Sequence, residues 1–123
     1  MIDKNSIYAV VGVSADANKY GYKVFNDLLS SGFKVFGVNP KGGEILGEKI
    51  YRSLSALPQK SDWAVLVVPP AVAEKVIGEA IELGIENVWF QPGSESEQAI
   101  SRCHVAGINC LSQACIMIKR RED

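Results

Sequence analysis

Histidine is nearly absent: His104 stands alone, which speaks against a zinc centre, and its place on a polar helix face leaves no Ser/His/Asp or Cys/His catalytic set to assemble around it. Cysteine is scarce and odd in number. Cys103, Cys110 and Cys115 include no C-x-x-C pair and fit reduced thiols better than a disulfide framework. A surplus of one charge is missing too, because 13 Lys plus Arg face 14 Asp plus Glu. No overall field therefore draws the chain to nucleic acid. No apolar run is long enough to span a bilayer, and Met1-Ile2-Asp3-Lys4-Asn5 lacks the basic stretch and apolar core of a signal peptide. A cytoplasmic protein with no membrane partner is expected. There is no internal repeat, linker or low-complexity tract. With 123 residues the chain can bury one core but not two, so residues 1–123 are expected to form one domain.

What is present is an alternation of short apolar strands and amphipathic helices. Residues 7–13 are apolar and β-branched up to Gly12-Val13-Ser14, the pattern of a strand buried on both faces. From 20 to 31, Val24, Phe25, Leu28 and Leu29 share one helical stripe, and Gly32 supplies a stop. Residues 33–38 give a second strand. Residues 40–51 are turn-rich with little periodicity, and Leu54 and Leu57 suggest one short helical turn before Pro58. Residues 63–68 form a third strand. Pro70 opens a helix whose face is Val72, Val76, Ile77, Ala80 and Ile81, ended by Gly84. A strand at 87–90 follows, then a helix for which Ser94 and Glu97 have capping-box spacing, then a strand at 108–111. The fold expected is α/β: a Rossmann-like, doubly wound parallel sheet of about five strands with helices on both faces.

In such sheets ligands bind beyond the carboxyl ends of the strands, so the residues after each strand are the candidates. After the first come Gly12, Val13, Ser14 and Ala15. Gly12 allows close backbone approach to a phosphate, and Ser14 offers a hydroxyl beside the amides of the next helix. Lys19, Tyr20 and Gly21 stand where that helix begins, with Tyr22 close behind. After the second strand, an NAD site would place Asp or Glu to hold the ribose hydroxyls. This chain has Asn39, Pro40 and Lys41 instead, followed by Gly42-Gly43. A cation at that place suits a nucleotide with an extra phosphate near its ribose. Val68 ends the third strand, Pro69 and Pro70 follow it, and together they offer an apolar wall for an adenine face. Phe90 ends the fourth, and Gln91, Pro92 and Gly93 follow it. Cys103 and Cys110 are assigned to the core, Cys115 to a small apolar contact near the same sheet edge, and His104 to a solvated helix face with Glu97 and Ser101. No catalytic residue and no metal ligand is assigned.

Gly-Val-Ser-Ala after the first strand, Asn-Pro-Lys-Gly-Gly with Ile45-Leu46-Gly47 after the second, residues 51–57, Val68-Pro69-Pro70 and the late Cys115 together resemble the small CoA-binding domain proteins. These are stand-alone relatives of the CoA-binding domain of the succinyl-CoA synthetase alpha subunit and of related acyl-CoA synthetases. The resemblance implies coenzyme A or an acyl-CoA as ligand. It implies contacts from Gly12, Val13, Ser14 and Ala15, from Lys41, and from Phe90, Gln91 and Pro92. The synthetases carry Thr-Glu-Gly where this chain reads Gln-Pro-Gly. The 3′-phosphate of CoA would satisfy the lysine. The phosphohistidine domain and nucleotide-grasping partner of the synthetases are not found in these 123 residues, so non-catalytic binding is expected, as a module for a partner enzyme or for a regulator. The alternatives are an NADP-binding redox sensor or an oxidoreductase fragment, with Lys41 on the 2′-phosphate.

Overall fold

The computed structural model describes residues 3–112 and 114–122; Met1 and Ile2, read above for a leader, and Gln113 and Asp123 lie outside them. In chain order the elements are β1 (Ile7–Val11), α1 (Tyr20–Ser30), β2 (Lys34–Val38), β3 (Glu44–Ile45), β4 (Glu48–Tyr51), a 3-10 turn (Leu54–Ala56), β5 (Trp63–Leu66), α2 (Pro70–Leu83), β6 (Asn87–Phe90), α3 (Glu97–Val105), β7 (Asn109–Leu111) and α4 (Ile116–Glu122). One sheet runs β3-β4-β2-β1-β5-β6-β7. Every pairing is parallel except that of β3 with β4.

The sheet has seven strands, not five. The two additional ones are the β3–β4 hairpin, inside the segment read as irregular. They hold two and four residues, too few to display alternation. Their turn is also unmarked, because Leu46 and Gly47 both take left-handed backbone (φ 56° and 76°) where Asn-Gly would have been the recognisable signal.

Period-two alternation distributes the strands between two cores. Tyr8 and Val10 of β1, Val65 of β5 and Trp89 of β6 face α1 and α4, with Val24, Phe25, Leu28 and Ile116. Ala9 and Val11, Ala64 and Leu66, and Val88 and Phe90 face α2 and α3, with Ala73, Ile77, Ala80, Ala99 and Cys103. Both layers are closed, which is why the strands read as continuous apolar runs.

Two local expectations are corrected. Ser94 does not cap α3; Ser96 does, accepting the amide of Ala99 at 3.3 Å. The Ser94 hydroxyl is buried and accepts the amide of Val68 at 2.9 Å. The chain also ends its described portion in a helix, α4, that no periodicity announced. Ile116 plugs it into the core, and the buried Gln91 carboxamide accepts the Ile116 amide at 3.0 Å. Cys103 is buried and Cys110 half-buried, as assigned. No helix among the described residues is long and apolar enough to cross a membrane.

Candidate functional site

Strand order reverses beside β1, with α1 leaving for one face and α2 for the other, so a crevice opens beyond the ends of β1, β2 and β5. Its floor is made of backbone. The Gly12 and Val13 amides both donate to the Val38 carbonyl, at 2.9 and 3.3 Å, and the Val67 amide donates to Val11 at 2.8 Å. Gly12 has φ 105°, and a methyl built on it would lie 2.1 Å from the Val67 carbonyl oxygen. Only glycine lets β1 and β5 close this tightly.

Asn39 holds the second corner. Its Nδ2 donates to the Val13 carbonyl at 2.6 Å and its Oδ1 accepts the Lys41 amide at 2.8 Å. Its own amide donates to Tyr51 at 2.8 Å, and its carbonyl accepts Gly42. The residue standing in place of a ribose-binding acid thus ties β1, β2 and β4 together, and its side chain is occupied.

Above this floor lies a cleft of about 600 Å³. Val68, Val72 and Val76 make one wall, and Pro40, Arg52 and Ser53 the other, with Lys75, Gly78, Glu79 and Glu82 along the α2 side. Glu79 is engaged elsewhere: its carboxylate accepts the Leu54 and Ser55 amides and the Ser55 hydroxyl, at 3.3, 3.2 and 2.8 Å. Among the described residues neither Arg52 nor Lys41 has a hydrogen-bonding or ionic partner for its side-chain charge. Arg52 in the cleft lining and Lys41 on the loop beside it therefore leave positive charge that an anion could meet.

Of the residues expected to bind, Gly12, Pro40 and Val68 line the cleft directly. Lys41 is exposed on the adjoining loop. Ser14 accepts the Asp16 amide at 3.1 Å, leaving its own proton to donate outward. Val13 is fully buried and can offer only backbone, whereas Ala15 is exposed. Lys19 is the N-cap of α1 and provides no side-chain cap; no acidic residue lies in the first turn, so its leading amides remain available. Gly21 packs against the Gly12 carbonyl. Tyr20 turns away, its hydroxyl paired with the Cys115 thiol. Burial first, then that pairing, holds the Tyr20 phenol well above its ordinary value. Cys115 is thus half-buried and hydrogen-bonded rather than a plain apolar filler.

Pro69 and Pro70 cap and open α2 and are exposed outside the cleft lining, so its apolar wall is valine rather than proline. Phe90 and Gln91 point into the interior with no exposed surface, and only Pro92 and Gly93 stand open after β6. The Gln91 Nε2 has no partner there. Arg52 and Ser53 went unnoticed in the sequence. Once β4 is seen to run parallel to β2, they occupy the same end-of-strand positions as Asn39 and Pro40.

Residues 6–121 match the protein family described as CoA binding domain. The ADP-forming acetate–CoA ligase II subunit alpha of Pyrococcus furiosus is 31% identical over 121 residues, an overlap of 89% of this chain and 26% of that subunit. The chain thus spans about a quarter of the length of this relative. Among solved structures, a conserved hypothetical protein from Pyrococcus furiosus superposes with TM-score 0.89 at 45% identity, covering 93% of this chain and 98% of that one. A dinucleotide-forming acetyl-coenzyme A synthetase 1 of Ca. Korarchaeum cryptofilum, in complex with phosphate and ADP, superposes with TM-score 0.77 at 34% identity, covering 86% and 25% respectively. Turn, cleft, fold and these likenesses agree, and the chain belongs to the CoA-binding domain family.

Proposed function

We propose that this protein binds coenzyme A or a small acyl-CoA as a single-domain module and leaves the chemistry of the thioester to a partner enzyme. The observation that carries the reading is the cleft itself: an apolar slot at the strand ends, flanked by unpaired cations where an NAD site would place an acid. In this reading the valine wall takes the adenine. The Ser14 hydroxyl and the uncapped amides of α1 hold the pyrophosphate, and the ribose end lies toward the Asn39-Pro40-Lys41 loop. Pro92 and Gly93 meet the ligand through backbone, since the side chains of Phe90 and Gln91 are turned inward. A cytoplasmic setting and an association with a nucleotide-grasping subunit fit the relative that is itself a ligase subunit alpha.

Titration calorimetry with CoA, acetyl-CoA, NAD and NADP at one salt concentration tests this. CoA and acetyl-CoA are expected to bind and NAD to give no heat. Binding of NADP with silence from CoA would overturn the reading and put a redox role first, because the same cations could hold a 2′-phosphate.

A further inference from the structure

We infer that Arg52 is the residue that selects the phosphomonoester of the ligand, making the site prefer CoA over dephospho-CoA. The inference rests on the CoA reading above and deepens it.

Arg52 stands where two spaces meet. It lines the 600 Å³ cleft, and it also lines an adjoining recess of about 410 Å³ bounded by Gly42, Gly43, Lys49 and Tyr51. A group seated in the cleft with its ribose toward residues 39–41 therefore projects any substituent of that ribose at the Arg52 side chain. The arginine stem lies against the glycine loop: a methyl built on Gly42 would be 3.2 Å from Nε and 3.3 Å from Cγ. A side chain at position 42 would press on the arginine, and glycine, with φ 65°, also supplies the left-handed turn that brings the loop round it. The recess has a second cation. Lys49 Nζ sits 5.2 Å from the Tyr51 ring centroid, which places its charge on the same side of β4.

Chemistry separates Arg52 from Lys41. A guanidinium offers a planar fork of donors that can grip two phosphate oxygens at once, whereas an ammonium acts as a compact point charge on a flexible stem. No carboxylate among the described residues neutralises Arg52. Of the two acidic residues in the cleft lining, Glu79 and Glu82, the first is turned to the Leu54 and Ser55 amides of the 3-10 turn. A dianionic phosphate at this junction would find an unpaired fork with Lys49 in the recess and Lys41 on the loop. A bare ribose hydroxyl would gain little from any of them.

The test is calorimetric titration of wild type, Arg52→Ala, Arg52→Lys and Lys41→Ala with CoA and with dephospho-CoA. Arg52 is exposed, so the folded state should be unaffected, which circular dichroism checks. Wild type is expected to favour CoA by at least about tenfold. Arg52→Ala should lower CoA affinity by about 10- to 100-fold and dephospho-CoA affinity by less than about threefold, with Arg52→Lys in between. Equal losses for both ligands, or loss of discrimination in Lys41→Ala alone, would overturn the assignment. If wild type binds neither ligand, the CoA reading falls rather than the role of one arginine within it.

Discussion

The backbone of Gly21 rests on the carbonyl of Gly12: a methyl built on Gly21 would stand 2.0 Å from the Gly12 oxygen and 3.4 Å from the Val13 Cα. The first turn of α1 is thereby seated on the β1 turn. This is the contact that the last glycine of a G-x-G-x-x-G fingerprint makes in other sheets, reached here across a longer loop.

Gly21→Ala should consequently displace α1, because the clash is with main chain and no rotamer relieves it. A loss of about 1 to 3 kcal/mol in urea unfolding is expected, together with weakened CoA binding. Gly32→Ala is the control. A methyl there meets nothing within 4 Å, so only its left-handed φ of 84° penalises it, by about 1 to 2 kcal/mol, and ligand affinity should stay at the wild-type value.

Asn39→Asp installs the acid of an NAD site without creating one. The Asn39 amide group donates to the Val13 carbonyl at 2.6 Å, and a carboxylate there can only repel that oxygen. The variant should lose about 1 to 3 kcal/mol of stability and show no heat on titration with NAD. An NAD affinity rising above the wild-type value would show that the position is open to ligand after all.

The capping role expected of Ser94 belongs to Ser96, and two variants separate the two serines. Ser94→Ala leaves the Val68 amide without its acceptor under a buried surface, so about 1 to 3 kcal/mol should be lost and hydrogen exchange at Val68 should accelerate. Ser96→Ala removes a helix cap and should cost about 0.5 to 2 kcal/mol, with the faster exchange confined to the start of α3.

The Cys103 thiol is pushed up to about 12, first by burial and then by the neighbouring Cys110. In the unfolded chain it ionises near 9.0, so between these values the folded state keeps a proton that the unfolded state releases. Its contribution is complete below about pH 9 and declines as pH rises toward 12, by at most about 1.4 kcal/mol per pH unit. Urea unfolding of wild type and Cys103→Ala at pH 7.5 and pH 10 should show wild type losing about 1 kcal/mol more than the variant over that interval. Identical losses would mean that Cys103 ionises as freely in the fold as out of it.

The layered fold was readable because β1, β5 and β6 are buried on both sides. Stretches such as Tyr8-Ala9-Val10-Val11 supply apolar residues to two cores at once and leave an unbroken signature. The β3–β4 hairpin was not readable, since Leu46 adopts a backbone conformation its residue type does not advertise. Nor was α4, whose Ile116 amide donates to the Gln91 side chain, 25 residues earlier in the chain, and whose Ile116 side chain is buried. The candidate site divided on the same line. Gly12, Pro40 and Val68 follow strands visible in the sequence. Arg52 follows the strand that was missed, and the side chains of Phe90 and Gln91, expected to meet the ligand, are turned inward because Phe90 fills the core against α2 and α3 and Gln91 anchors α4.

The cross-tied floor beneath the cleft has a thermodynamic corollary. Val38, Asn39, Val13 and Val67 are locked by hydrogen bonds before any ligand arrives, so association orders little backbone. The entropy lost on binding would fall chiefly on the two long side chains at the rim, Lys41 and Arg52, at about 0.5 to 1.5 kcal/mol each. Affinity should accordingly soften with added salt, which screens those exposed charges, while the shape selectivity set by the backbone persists.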